Sequence, residues 1–340
     1  MGLLSPLTAE DESLFRKFVK KYRAEDNCDF KDSWAYILQA TRNNPQKFAR
    51  DDALFLLAQI DDGFVIPNYF VSHENVLLDF VLNLKKRVIL KNVAVADIEK
   101  LCSLGFRKYK DNETWFSFNK PLSGYYRQVY KPLSDYFEQL PFDDQSYPQR
   151  IVNISDLLLL KGSDYALLRK NLKAIAKENY DGSTLNMQNL SVRGYNPVID
   201  KKAVLFLSED SEIAPPGFTE SIERYLDLSS SPDFHAFVFC YPHKYRVQYQ
   251  SDIIGYVAFD SISSVCCAYN AMVHFSDAYP YLSSLLTFET AKIAQHLGFE
   301  FMNLQGSQTV SLDRWKIKFG FFQSIEKTHL VFDGVTSKIP

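Results

Sequence analysis

Three stretches of the 340-residue chain carry side chains suited to acyl-group or phosphate chemistry. The first is VCCAYNAMVHF at 265–275, which reads as a buried strand bearing Tyr269, Asn270 and His274. An imidazole near a strand end accepts a proton near neutral pH, a phenol serves as acid or relay, and an amide orients a carbonyl. Tyr269 and His274 are therefore the candidate catalytic groups and Asn270 a candidate substrate contact, although a hydrogen-bonded structural histidine accounts for His274 as well. The second stretch is FEFMNLQGSQ, in which Asn303, Gln305, Ser307 and Gln308 lie at the C-terminal end of a strand, where α/β sheets commonly place ligands. Turn hydrogen bonding explains these residues nearly as well.

The third stretch runs from Ser163 to Asn179. With Ser163 as N-cap, Leu168, Leu172 and Ile175 share one helical face, and Lys170, Lys173 and Lys177 share another. Arg169, Lys170 and Lys173 are candidate phosphate contacts, Arg169 foremost because a guanidinium grips a phosphate through two parallel bonds. A solvated helix face, compensated by Glu178, is the plainer explanation. Acyl transfer to an amine needs a base or relay for the ammonium proton and donors for the oxyanion, while a covalent nucleophile is optional. Cys266 and Cys267 have no nameable basic partner and point to opposite strand faces, so they suit a core better than a nucleophile or a zinc site.

The elements that must hold these residues alternate. Thr8 with Asp11 predicts a capped helix carrying Leu14, Phe15, Phe18, Val19 and Tyr22 on its apolar stripe, and a second helix follows over 34–41. ALFLLAQI and FVIPNYFV predict a hairpin around Asp61, Asp62 and Gly63, followed by a helix over 77–84 and the strand VILKNV. A helix over 96–104 closed by Gly105 precedes FRKYKDNETWFSF, read as two strands. The stretch from Pro121 to Pro148 reads as an inter-domain crossing.

In the second half AVLFLSE reads as a strand and 219–226 as a helix, with FHAFVFCY, YRVQYQ and DIIGYVAFD as strands. A helix striped by Leu282, Leu286, Ile293 and Leu297 and stopped by Gly298 follows, then the strand FEFMNLQ and a short helix LDRWKIKF ended by Gly320. Two domains of similar size result, 1–150 and 151–340, the second including the basic helix 163–179, and the alternation argues an α/β layer structure.

Composition narrows the class. A net charge of −3 rules out a global basic field for nucleic acid, so any RNA contact needs a local patch. No segment approaches the roughly 20 apolar residues of a membrane span. The apolar start MGLLSPL is too short for a signal sequence. Five scattered cysteines without CxxC spacing fit reduced thiols in the cytoplasm and no metal site.

The segment GSQTVSLDRWKIKFGF, through Gly306, Ser307, Leu312, Trp315, Lys316, Lys318, Phe319 and Gly320, resembles the C-terminal part of the Fem-type aminoacyl and peptidyl transferases. The segment from Asp156 to Asn179 resembles the one joining the two halves of lysylphosphatidylglycerol synthase catalytic domains. There an Asp-Leu strand precedes a Gly, a Tyr and a basic helix, matched by Leu157, Gly162, Tyr165, Arg169 and Lys170. The resemblance implies two tandem acetyltransferase-like (GNAT-like) domains, α/β (α+β) in class, each a mixed, mostly antiparallel sheet flanked by helices. It implies an acceptor groove near the domain junction, aminoacyl-tRNA as donor, and Tyr165 and Lys316 as substrate contacts.

The chain departs from the family in two respects. The membrane half of the lysyl lipid enzymes is absent, which weakens a lipid acceptor. SDAYPYLSS lacks the glycine-rich turn that holds a coenzyme A pyrophosphate, which puts acyl-CoA behind aminoacyl-tRNA. The expected activity is acyl transfer to a small-molecule or peptide amine, with aminoacyl-tRNA or acyl-CoA as the candidate donor and no further cofactor assigned. The alternatives are a catalytically silent binding module on the same fold and a conventional acetyl-CoA N-acetyltransferase.

Overall fold

The computed structural model describes residues 4–42, 44–60, 63–108, 148–175, 185, 189–209, 218–228, 231–242, 251–274, 281–306 and 310–334. These fall into two compact units, one from 1–149, 306–313 and 324–340, the other from 150–305 and 314–323.

In the first unit a short strand β1 (Ser5–Pro6) leads to the Thr8–Asp11 capping box, where the Thr8 N–H donates to the Asp11 carboxylate at 2.9 Å. Helix α1 (Glu12–Tyr22) follows and buries Phe15, Phe18 and Val19. Ser33 caps α2 (Trp34–Ala40), accepting from the Tyr36 N–H at 3.0 Å. Next come β2 (Pro45–Arg50), β3 (Ala53–Ile60), β4 (Gly63–Val71), α3 (Glu74–Leu84), β5 (Arg87–Ala94), α4 (Ile98–Ser103) and β6 (Arg107–Lys108).

The sheet order is β1, β2, β3, β4, β5, then a strand from the far end of the chain, then β6. Strands β4 and β5 run parallel from Gly63 opposite Arg87 to Ile66 opposite Leu90, and α3 supplies the crossover that parallel neighbours need. Both faces are covered, as the unbroken apolar text of β3 requires: Phe55, Leu57, Ile66 and Leu90 pack with Phe80 of α3, while Ala58, Val65 and Ile89 form a cluster of their own.

Gly63 has a tight requirement, since an added Cβ would lie 2.0 Å from the Arg87 carbonyl oxygen. Gly63→Ala is expected to cost about 3 kcal/mol by forcing the parallel pair apart. A urea midpoint equal to the wild type's would show that the pair accommodates it.

The elements lying wholly or partly in the second unit are β7 (Gln149–Asn153), α5 (Ile154–Leu159), α6 (Ala166–Ile175), β8 (Ser191–Gly194), α7 (Pro197–Glu209), α8 (Phe218–Asp227), β9 (Phe234–Cys240), β10 (Ile253–Ser261), β11 (Cys266–His274), α9 (Leu282–His296), β12 (Phe301–Asn303), α10 (Val310–Ile317) and β13 (Phe321–Ile325). Its sheet order is β13, β7, β12, β11, β10, β9, β8. Here too one parallel pair, β11 with β12, brackets a crossover helix, α9. The architecture is therefore two seven-stranded mixed sheets flanked by helices, α+β in class.

Several elements differ from the sequence reading. AVLFLSE lies in helix α7, because Pro197 opens the helix, the Asn196 side chain accepts from the Val198 N–H at 3.0 Å, and Val204 and Leu207 are buried at helical spacing. A short apolar run has no periodicity that separates these states. Likewise Asp156–Leu159 belongs to helix α5, capped by Asn153, whose side chain accepts from the Asp156 N–H at 3.0 Å; the strand is β7 just before it. Leu297, placed on the apolar stripe of α9, is exposed. YRVQYQ, residues 121–147 of the expected crossing and most of FRKYKDNETWFSF lie outside the described residues.

The last strand, β14 (Lys327–Phe332), which the sequence reading assigned to the second domain with the rest of 151–340, pairs antiparallel with β5 and β6 in the first sheet. A buried ionic cluster fixes it there. The Lys327 Nζ donates to Asp29 at 2.5 Å and Lys31 stands 3.6 Å from the same carboxylate. Gln149 bridges, donating to Asp29 at 3.1 Å and accepting from the Phe30 N–H at 3.0 Å. Alongside, Asp32 accepts from Arg23 at 2.9 Å and from Asn68 at 2.8 Å. Further along β14 the His329 Nδ1 accepts from the Asn92 N–H at 3.3 Å.

Burial would raise the Asp29 carboxyl, but Lys31, Lys327 and the hydrogen bonds outweigh it and hold it far below the usual carboxylate range. Burial, with Lys91 nearby, pushes the His329 imidazole down to about 3.

Candidate active site in the second unit

The site grows out of the place where β11 and β12 part. Their parallel pairing spans three residue pairs, Cys266 with Phe301, Cys267 with Met302 and Ala268 with Asn303. Beyond it β11 continues to His274, held on its other side by β10 from Ala271 opposite Ala258 to His274 opposite Gly255. A strand held on one side only offers backbone N–H and C=O groups to whatever enters the gap.

The chain fills the near end of that gap itself. Gln305, in the left-handed region at φ 65°, donates through Nε2 to the Tyr269 carbonyl at 2.6 Å. The unusual backbone is stabilised by the buried Asn303 side chain, whose Oδ1 accepts from the Gln305 N–H at 2.7 Å. The Gln305 carbonyl in turn accepts from the Lys316 Nζ at 3.2 Å, and Lys316 is only 5% exposed. The Asn270 side chain donates to Asp260 at 2.7 Å. Asn270, Asn303, Gln305 and Lys316 are thus brought together at the strand divergence, as bracing for it.

The far end of β11 holds a different set. The Lys318 ammonium donates to the Ser284 Oγ at 2.8 Å and lies 5.1 Å from the Trp315 ring centre and 5.2 Å from that of Phe319. Ser284, in the first turn of α9, also accepts from Asn171 of α6 at 3.2 Å, and Trp315 donates to its neighbour Ser283 at 3.2 Å. Burial lowers Lys318 to about 8, and among the described residues no carboxylate forms an ion pair with it. Burial, with Lys318 close by, lowers His274 to about 4, and its Nδ1 finds no hydrogen-bond partner among the described residues. At neutral pH the imidazole is uncharged, and an appreciable fraction of the lysine is a free amine.

The other residues named from sequence lie elsewhere. The buried Tyr269 ring turns toward α9, beside Thr287 and Thr290, whose hydroxyls donate to the Ser283 and Leu286 carbonyls at 2.9 and 2.6 Å. Its own hydroxyl makes no well-formed hydrogen bond, and burial raises it well above an ordinary phenol, so it neither gives nor takes a proton near neutral pH. Tyr165 packs against the Gly320 backbone: a Cβ there would meet the Tyr165 ring at 2.5 Å. The Arg169 guanidinium donates to the Leu160 carbonyl and, at 2.8 Å, to that of Gly162, closing the end of α5. Lys170 and Lys173 are exposed on α6. Ser307 and Lys177 lie outside the described residues.

Sequence reasoning missed Lys318, Ser284 and Asn171 as a set. The one signal for it was the interleaving of lysines with Trp315 and Phe319, which draws a cation over aromatic faces. Among the described residues no group of three or more His, Cys, Asp or Glu is placed to hold a metal ion, and no helix is long and apolar enough to cross a membrane.

No family model matches the chain, and no curated protein matches it by sequence. Solved structures do. A conserved protein of unknown function from Bacteroides thetaiotaomicron VPI-5482 superposes with a TM-score of 0.71 at 11% identity, covering 98% of this chain and 100% of that one. FemX gives 0.60 at 12% identity over 97% of each chain. The C-terminal domain (DUF2156) of a putative lysylphosphatidylglycerol synthetase from Agrobacterium fabrum gives 0.57 at 11% identity, covering 96% of this chain and 92% of that one. Identity this low shows the fold alone: the chain has the tandem acetyltransferase-like fold shared by these proteins.

Proposed function

We propose that the chain is an acyltransferase that moves an aminoacyl or other acyl group onto an amine, with the transfer site at the far end of β11. The observation that carries this reading is the pairing of an uncharged imidazole with a lysine lowered to about 8, beside a strand edge that has lost its parallel partner. An amine acceptor arrives protonated, so transfer needs a base poised near the working pH, and neutral Lys318 meets that need. His274 Nδ1 accepts a hydrogen bond from the acceptor and orients it. Backbone N–H groups on the open edge of β11 suit the oxyanion. Bracing by Gln305 and Lys316 keeps that edge in place.

The resemblance to Fem-type transferases favours aminoacyl-tRNA as donor, and Lys170 and Lys173 on α6 are the phosphate contacts we assign to it. Replacing both with Glu is expected to weaken charged-tRNA binding about tenfold and to flatten its salt dependence by up to about two units of slope. Unchanged affinity and slope would mark the helix face as merely solvated.

A second reading, a silent binding module on this fold, is favoured by one observation: Gln305 occupies the near end of the strand gap with its own side chain. The two part in a single assay. The purified chain is incubated with lysyl-tRNA or acetyl-CoA and with free lysine, spermidine or a lysine-containing tripeptide, and the amines are weighed by mass spectrometry. The transferase reading predicts an amine heavier by the donor's acyl group. Saturable donor binding without any such product supports the silent module, and acetyl-CoA as the sole productive donor supports a conventional N-acetyltransferase.

A further inference from the structure

We infer that Lys318 is itself an acyl acceptor, a self-modification site that takes an activated acyl group from a thioester or ester donor and holds it as an amide. The inference rests on the transferase reading for its donor, but its geometry stands apart. Several other lysines of the described structure are engaged in ways that suppress nucleophilicity. Lys327 is held by Asp29 at 2.5 Å, Lys201 by Asp227 at 2.9 Å and Lys292 by Glu289 at 2.7 Å. Lys31 has a carboxylate 3.6 Å away, and Lys316 is buried against the Gln305 carbonyl.

Lys318 differs in three respects. Its hydrogen-bond partner is a neutral hydroxyl, Ser284, already loaded by the Asn171 amide. Its flanks are the Trp315 and Phe319 rings. Its neighbour is an uncharged imidazole, His274, whose Nδ1 has no hydrogen-bond partner among the described residues. A carboxylate would stabilise the ammonium and keep the amine protonated; rings and a hydroxyl do so less, and burial then frees the amine. Lys318 as a residue is only partly buried.

The step balances without a further reactant. The Lys318 amine attacks the acyl carbonyl carbon, forming a C–N bond. The ammonium so formed passes a proton to the imidazole of His274 or to water. The tetrahedral intermediate collapses with cleavage of the C–S or C–O bond, and the departing thiolate or alkoxide takes up a proton. The product is an uncharged amide. It lacks both the cation that Trp315 and Phe319 attract and the amine that transfer requires, so the modified chain is blocked at this site.

The test incubates the whole chain with acetyl-CoA, and in parallel with S-acetyl-N-acetylcysteamine, at pH 7.5, followed by peptide mass spectrometry of every lysine. Lys318 is expected to acylate on the order of tenfold faster than the exposed Lys170 and Lys292, because a larger fraction of it is unprotonated. Lys318→Arg preserves the ring contacts and the charge, and is expected to fold and to lose this adduct alone; Lys292→Met is expected to leave it unchanged. Acylation of Lys318 at or below the rate of exposed lysines overturns the inference, even where transfer to an added amine proceeds. Acylation of Lys318 by both thioesters, with no added amine modified from lysyl-tRNA by the still unacylated chain, instead sustains the inference and removes the transferase reading.

Discussion

Asp29→Ala is expected to lower the unfolding free energy by about 3–5 kcal/mol, because it leaves buried ammonium groups without their shared counter-ion. Lys327 has a side chain only 2% exposed and meets Asp29 at 2.5 Å, and Lys31 approaches the same carboxylate. The loss should appear as a lower urea midpoint by circular dichroism. Asp29→Leu combined with Lys327→Met should recover the Lys327 share of it, since removing both charges of that pair removes its desolvation penalty as well, while Lys31 stays without the carboxylate. An unchanged midpoint for the single variant would mean that the cluster contributes nothing net.

The same groups set the acid limb. The folded Asp29 pKa lies below its unfolded value, so its stabilisation is present above about pH 4 and is lost as pH falls further. His329 and His274, lowered to about 3 and about 4, bind protons more readily when unfolded, so each adds to the loss of stability as pH drops below about 6.5.

This cluster also shows where sequence reading stops. The helix start at Thr8 and the stops at Gly105, Gly298 and Gly320 were legible because a cap or a left-handed turn is decided by residues within one helical turn. Asp29 and Lys327 are 298 positions apart, and nothing local in either segment announces the pairing. The exchange of β14 into the first sheet was hidden for the same reason. In the candidate site His274 was legible as a polar residue at a strand end. Lys318 owes its character to Ser284, Asn171 and two rings assembled by folding, and Tyr269 was overvalued because its burial against α9 leaves no mark on the strand's text.

The second large effect concerns catalysis. Lys318→Met is expected to lower the transfer rate by about 10²–10³ with little change in donor affinity, the range for a lost general base. In the wild type the rate should rise with pH through about 8 as Lys318 loses its proton, and the variant should lack that rise. Lys318→Arg keeps a cation over Trp315 and Phe319 but has no neutral form at these pH values, so it should fold normally and remain slow. A purely structural lysine would give the opposite pattern, with Arg restoring activity and the pH profile unmoved.

The location of the transfer site is tested most directly by hydrogen–deuterium exchange, with and without saturating lysyl-tRNA or acetyl-CoA, whichever supports transfer. Donor binding is predicted to slow exchange of the amides at residues 271–274 of β11. Protection confined to the β4–β5 region of the first unit, with 271–274 unchanged, would contradict the assignment.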